Sequence, residues 1–141
     1  MLELLLALVV AGALATLALS SYSSYMEQAR VSQAEGDLAS IERKIALYAA
    51  GNNQLPASLA QVGASGLLDP WGHPYVYLNF TGLHGTGQMR KDRNLVPINS
   101  DYDLYSIGKD DATLPPILAP VSHDDVIRAN NGGYIGLASD Y

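Results

Sequence analysis

Residues 4–19 read LLLALVVAGALATLAL and contain no charged side chain. With the flanking residues 1–3 and 20–22, a helix over this stretch is roughly 30 Å long at about 1.5 Å per residue, enough to cross the hydrocarbon core of a bilayer. Glu3 lies at its start and Gly12 in its middle. The stretch therefore predicts a membrane-spanning helix with a specific partner for the Glu3 carboxylate.

The helical pattern continues beyond Tyr22. Apolar side chains recur every three or four residues, at Val31, Ala34, Leu38, Ile41, Ile45 and Tyr48. This spacing is typical of a helix that packs one face on a core. We expect one helix of about 50 residues with an apolar first half and an amphipathic second half. Its end is predicted near Gly51, which would supply a left-handed cap.

Strand patterns appear only after this helix. Residues 75–78 form a short β-prone run, and residues 101–107 alternate polar and apolar side chains as a half-buried strand does. Residues 82–97 predict a loop excursion with a basic cluster at 90–93, and residues 108–133 predict a long irregular segment. The predicted fold class is α+β, with a long N-terminal helix packed on a small antiparallel sheet and a long C-terminal loop. Residues 1–22 form the membrane or filament-core half-helix, and residues 23–141 form the globular head.

Composition narrows the possible functions. Fourteen acidic residues against eight basic ones give a net charge of −6, too little positive field for phosphate-backbone recognition. Nucleic acid is therefore not an expected partner. The chain has no cysteine, so a disulfide framework and a thiol nucleophile are both excluded.

No catalytic motif emerges from the remaining side chains. The three histidines are far apart in sequence and lack an HExxH pair, and no serine sits in a GxSxG elbow. Two aspartate pairs, 110–111 and 124–125, bracket a proline-rich stretch. Folding of that stretch would place four oxygen donors around one cation such as Ca²⁺, or the pairs are simply solvated loops.

An apolar helix opening with Glu3, its amphipathic continuation, and the stretch Asp69-Pro-Trp-Gly-His-Pro-Tyr together resemble the type IV pilin family. The major pseudopilin of type II secretion systems is the most similar member. Residues 4–22 resemble the family's EL-x-V-V-A-x-x-G segment, with Glu3 at its glutamate and Gly12 at its helix glycine. Tyr105-Ser-Ile-Gly-Lys-Asp resembles its strand-and-loop motif.

The resemblance implies a structural subunit of a helical filament, a type IV pilus or a secretion pseudopilus, and not an enzyme. It implies a Ca²⁺ site with Asp110, Asp124 and Asp125 as ligands and Ile107 as a carbonyl donor. It also implies a prepilin peptidase, which in the family removes a short basic leader and methylates the new terminus, and an assembly platform. The protein would lie in the inner membrane before it enters an extracellular or periplasm-spanning filament of a bacterium.

Burial of Glu3 in such a filament requires a countercharge, because an isolated buried charge costs several kcal/mol. We expect its partner to be the α-amino group of Met1 of a neighbouring subunit, with Gly12 as a third assembly residue. The alternative function is a membrane-anchored calcium-binding domain or enzyme that acts as a monomer.

Overall fold

The computed structural model describes residues 1–141, except for the side chains of Ala18 and Ser20. Helix α1 (Leu2–Asn52) is followed by strands β1 (Val76–Asn79), β2 (Tyr102–Ser106), β3 (Val126–Ala129) and β4 (Tyr134–Leu137). Short 3-10 helices lie at Leu59–Val62, Pro120–Ser122, Asn130–Gly132 and Ala138–Asp140. The predicted α+β fold is confirmed. The chain divides into two compact units, Met1–Arg30 and Val31–Tyr141; the predicted boundary after residue 22 stays a prediction.

The first unit consists of the N-terminal part of α1. By length and composition this part is apolar enough to cross a membrane, and none of its most apolar stretch is buried within the chain. Leucines along it keep most of their surface exposed, from Leu5 at 62% to Leu2 at 82%. Burying each such side chain is worth about 1.5–3 kcal/mol, so this helix gains most of its stabilisation from whatever surrounds it.

The end of α1 falls where the sequence predicted it, but on a different capping residue. Gly51 is still helical, and the left-handed residue is Asn53, with φ 54°. The backbone N–H of Asn53 donates to the carbonyl of Ala49 at 2.8 Å, which satisfies one of the last free carbonyls. Asparagine tolerates this conformation because its short polar side chain carries little steric cost there.

The apolar stripe on the second half of α1 forms the main core of the second unit. Ala34, Leu38, Ile41 and Ile45 are completely buried, as the three-and-four spacing predicted. They pack with Tyr75 and with the side chains that β2 and β3 direct to the same side, namely Tyr102, Leu104 and Val126. Trp71 packs against this cluster with part of its ring exposed.

The four strands form one antiparallel sheet in the order β1-β2-β3-β4. The expectation of a half-buried β2 is wrong, because Tyr102, Asp103, Leu104 and Ser106 are all buried. The face of the sheet that does not meet α1 is covered by a second cluster, made of Ile98, Ile117, Ile127, Ala129 and Ala138. Irregular segments before β2 and before β3 supply Ile98 and Ile117, so both loops are structural covers.

Strand β3 is a correction to the predicted irregular segment over 108–133. Its four residues VIRA are too short to show a period-two pattern, and all four are buried. The charged residue Arg128 also makes this strand hard to recognise from sequence, because a charge usually indicates an exposed position. Here the guanidinium is buried against partners that are distant in sequence.

A network around Arg128 joins α1 to the sheet. Its Nε donates to Glu42 at 2.7 Å, and its two terminal nitrogens donate to both oxygens of Asp101 at 2.9 Å. The guanidinium also lies over the ring of Tyr102, 4.0 Å from the centroid. Burial of Arg128 acts to lower its pKa, but the hydrogen bonds to Asp101 and Glu42 together outweigh it and raise the pKa, so the side chain stays charged.

The turn at residues 69–73 is organised by one buried carboxylate. Asp69 Oδ1 accepts the backbone N–H groups of Trp71 and His73 at 3.0 and 2.8 Å. Its Oδ2 accepts the hydroxyl of Ser106 at 2.5 Å, which connects the turn to the end of β2. The aspartate of the Asp-Pro-Trp-Gly stretch therefore has a structural function.

Candidate functional site

The predicted assembly residues Met1, Glu3 and Gly12 all lie on the exposed N-terminal part of α1. Glu3 occupies the first turn, where a negative charge interacts favourably with the positive end of the helix dipole. A Cβ added at Gly12 would meet no atom within 4 Å, so nothing in this chain requires a glycine there. A reason for Gly12 must come from a surface that approaches the helix from outside.

One face of this helix forms a shallow groove of about 450 Å³ that begins at Glu3. Its lining residues recur with helical spacing and are Leu6, Ala7, Val10, Ala11 and Leu14. Small side chains at Ala7 and Ala11 allow another helix to approach closely. This face is apolar apart from the Glu3 carboxylate at its start.

The predicted calcium ligands lie in the segment between β2 and β3, here called the β2–β3 loop (residues 107–125). Asp124 and Asp110 are close in space but face backbone donors. Asp124 Oδ2 accepts the N–H groups of Lys109 and Asp110 at 2.7 and 3.0 Å, and Asp110 Oδ1 accepts the N–H of Ala112 at 2.9 Å. Both carboxylates therefore shape the turn of the loop.

Asp125 points away from these two carboxylates into the interior. Its Oδ2 accepts a hydrogen bond from Arg90 Nη2 and another from the hydroxyl of Thr113 at 2.6 Å. Burial raises the pKa of Asp125 to about 6, while the hydrogen bonds from Thr113 and Arg90 oppose that rise. The carboxyl is paired with a buried arginine, which favours its ionised form.

These positions do not fit one shared calcium site. Ca²⁺ takes six to eight oxygen ligands, and within the described side chains no group of three or more His, Cys, Asp or Glu residues is arranged to hold a metal. Asp125 Oδ1 is buried without a hydrogen-bond partner, but it is a single oxygen. Calcium binding by Asp110, Asp124, Asp125 and Ile107 stays a prediction, and the geometry lends it no support.

The histidines occupy turn settings, as their sequence surroundings indicated. His73 Nδ1 lies 3.1 Å from the carbonyl oxygen of Gly108, and His123 Nε2 lies 3.2 Å from that of Leu118. His84 is exposed in the excursion between β1 and β2. Among the described side chains, no hydrogen bond joins any of the three to a serine hydroxyl or to a second histidine, as nucleophilic catalysis would require.

Arg90 is the residue that sequence reasoning misplaced. It belongs to the basic cluster at 90–93 that the sequence assigns to a loop excursion, yet only 1% of its surface is exposed. The available signal was weak: Arg90 follows the apolar Met89, and the neighbouring Lys91 and Arg93 give the same local charge pattern without being buried. Only the fold brings Arg90 to the acidic segment that needs a countercharge.

The chain is similar to type II secretion system core protein G of Pseudomonas aeruginosa, with 27% identity over 133 residues. The match covers 78% of this chain and 81% of the relative. No family model and no solved structure matches. The match confirms the predicted resemblance to the major pseudopilin and supports a pilin-like family. That relative is a structural pseudopilin and not an enzyme.

Proposed function

We propose that this chain is a structural subunit of a helical type IV pilin-like filament, which it enters from the membrane through its N-terminal helix. The observation that carries the proposal is the N-terminal part of α1, apolar on every side and uncovered by its own chain. In water such a surface is strongly unfavourable, so it needs a bilayer or other copies of itself. A filament assembled from the membrane supplies each environment in turn.

Glu3 gives this assembly its register. In an apolar filament core the Glu3 carboxylate needs a countercharge, and the terminal α-amino group of a neighbouring subunit supplies one. The groove that starts at Glu3 and contains small residues offers the packing surface, and the open space at Gly12 allows close helix contact. The pair of the Glu3 carboxylate and the α-amino group therefore selects one axial offset between neighbouring helices, among many offsets that bury equally apolar surface.

The relative's name places it in a type II secretion system, and we extend that assignment to this chain. The partners are then copies of itself, a prepilin peptidase and an assembly platform. The chain resides in the inner membrane before assembly and in an extracellular or periplasm-spanning filament afterwards. Surface fibres reaching beyond the cell would indicate a pilus, and short fibres confined to the envelope would indicate a pseudopilus.

The test compares Glu3→Ala with Asp140→Ala, which removes another exposed carboxylate far from Glu3 in the sequence. Both variants should fractionate with the membrane, because neither loses apolar surface. Filaments in sheared material, seen by electron microscopy and labelled with an antibody to the head, should disappear only with Glu3→Ala. Normal fibres from Glu3→Ala would refute the pairing. Absence of any fibre from the wild type, together with a membrane-bound monomer, would favour the monomeric alternative.

A further inference from the structure

Arg90 is a buried cation that contacts the aspartate-rich β2–β3 loop. Its Nη1 donates to the hydroxyl of Thr113 and to the carbonyl of Leu114, both at 2.6 Å, and its Nη2 donates to Asp125. The guanidinium carbon lies 4.4 Å from the centroid of the Tyr105 ring on β2. One side chain thus contacts the middle of the β2–β3 loop, its end, and the adjacent strand.

The backbone holds Arg90 at this position. Its N–H donates to the buried Asp103 at 2.6 Å, and its carbonyl accepts from Ile98 at 3.0 Å. The next residue, Lys91, exchanges backbone hydrogen bonds with Pro115 and Ile117 of the loop, each at 3.0 Å. The excursion between β1 and β2 therefore lies directly beside the β2–β3 loop. These backbone hydrogen bonds fix the segment that carries Arg90, so its guanidinium is held against the loop.

We propose that the Arg90 guanidinium is the cation that cross-links the β2–β3 loop, so that the loop is ordered by an internal charge and not by a bound metal. A hydroxyl, a backbone carbonyl and a carboxylate are the donor types that hold a hard metal ion, and here they converge on the nitrogens of an arginine. A planar guanidinium suits this task because its N–H groups point in fixed directions and it remains charged at any physiological pH.

The carboxylates of the loop already have partners within the chain. Asp124 Oδ2 and Asp110 Oδ1 accept backbone N–H groups, and Asp125 Oδ2 is engaged by Arg90 and Thr113. Asp111, whose side chain is 70% exposed, faces His73 at 3.5 Å. A calcium ion that used the engaged oxygens would have to break these contacts and compete with Arg90. The inference concerns the head alone, and it holds whether or not the chain forms filaments.

The test uses the full chain in detergent. Thermal melting of the head is followed by the fluorescence of Trp71, the single tryptophan, and loop opening by the rate of protease cleavage between residues 108 and 124. Each measurement is made with added calcium chloride, with magnesium chloride and with EDTA. We expect the wild type to melt and to be cleaved identically in all three. A higher melting temperature or slower cleavage specifically with calcium would overturn the proposal.

Variants separate the arginine from a general loss of stability. Arg90→Met should lower the melting temperature by roughly 10–20 °C, since breaking a buried ion pair strands its partner. Arg93→Met, in the same segment but exposed, is the matched control and should melt like the wild type. In Arg90→Met, protease cleavage between residues 108 and 124 should be faster than in the wild type, even at temperatures well below the melting temperature of the variant.

A milder variant keeps the test informative if Arg90→Met does not fold. Thr113→Ala removes one of the three acceptors, so it should speed loop cleavage several-fold while lowering the melting temperature by only a few degrees. Thr81→Ala, at an exposed loop position, is its control. Unchanged cleavage in Thr113→Ala, or wild-type melting and cleavage in Arg90→Met, would show that the guanidinium does not cross-link the loop.

Discussion

Replacement of Arg128 by methionine tests how the second half of α1 is held on the sheet. Methionine retains an unbranched apolar stem over Tyr102 but removes the charge, so Glu42 and Asp101 lose their shared partner. Arg128 has a side chain only 3% exposed, whereas those of Glu42 and Asp101 are 23% and 33% exposed. The two carboxylates can therefore recover part of their solvation in the variant.

The partial exposure of Glu42 and Asp101 determines how much unfolding free energy Arg128→Met should lose. Breaking a fully buried ion pair costs about 3–5 kcal/mol, and exposed pairs are worth about 0–1 kcal/mol. With a buried arginine and partly exposed partners, we expect Arg128→Met to lower the free energy of unfolding by about 3 kcal/mol. A domain of ordinary stability, about 5–15 kcal/mol, survives that loss and can still be measured.

Urea unfolding of the full chain in detergent, read from Trp71 fluorescence, gives the free energy directly. Arg43→Met on the exposed side of α1 is the matched control and should change it by less than about 0.5 kcal/mol. A double-mutant cycle with Glu42→Gln should show a coupling energy of about 1 kcal/mol or more. A loss below 1 kcal/mol in Arg128→Met, or no coupling to Glu42, would contradict the idea that this network fastens the helix.

Three further predictions concern the head. Gly108→Ala should lower the free energy of unfolding by about 3 kcal/mol and open the β2–β3 loop to protease, because a Cβ there would lie 2.4 Å from the carbonyl oxygen of Asp124 and φ is +70°. Gly82→Ala is the control: with φ +81° and no atom within 4 Å of the added Cβ, it should lower the free energy measured by urea unfolding by only about 1–2 kcal/mol. Trp71→Ala should cost about 2–4 kcal/mol by circular dichroism, less than for a fully buried ring, since part of the indole is exposed. Burial raises the pKa of five tyrosines, that of Tyr77 to about 12, so the folded state keeps protons that the unfolded state releases. Stability should therefore fall as the pH rises above about 10, and the phenolate absorbance of these five should appear together with unfolding. The five are Tyr75, Tyr77, Tyr102, Tyr105 and Tyr134.

Residues with regular spacing were predicted well because periodicity is a local property of sequence. The stripe from Ala34 to Ile45 identified the buried face of α1, and the alternation around Tyr102 and Leu104 located β2. What alternation cannot reveal is whether the second face of a strand is covered. Asp103 looks like a solvent-facing residue in sequence, yet the excursion between β1 and β2 buries it and gives it Arg90 N–H and Asn99 as donors.

The contacts that sequence patterns did not reveal share one physical feature, which is pairing between residues distant in sequence. Asp125 lies 35 residues from Arg90, and Arg128 lies 86 residues from Glu42. Charge patterns within a short window cannot distinguish a solvated aspartate from one that is paired across the fold. The aspartate pairs indicate a metal site when only the sequence is considered, because they supply hard oxygen donors. The fold adds a contact that the sequence does not show, between Asp125 and the Arg90 guanidinium.

The internal cation bears on how such a chain could work outside the cell. A loop cross-linked by calcium depends on the concentration of that ion, since the stabilisation grows only as RT ln(1 + [L]/Kd). A loop cross-linked by Arg90 has the same stability wherever the head is placed, because the countercharge is covalently part of the chain. If the head is carried in a filament from the membrane to an environment of different ionic composition, the β2–β3 loop keeps its conformation throughout. Filament lifetime should then be insensitive to EDTA, while Arg90→Met should shorten it at every calcium concentration.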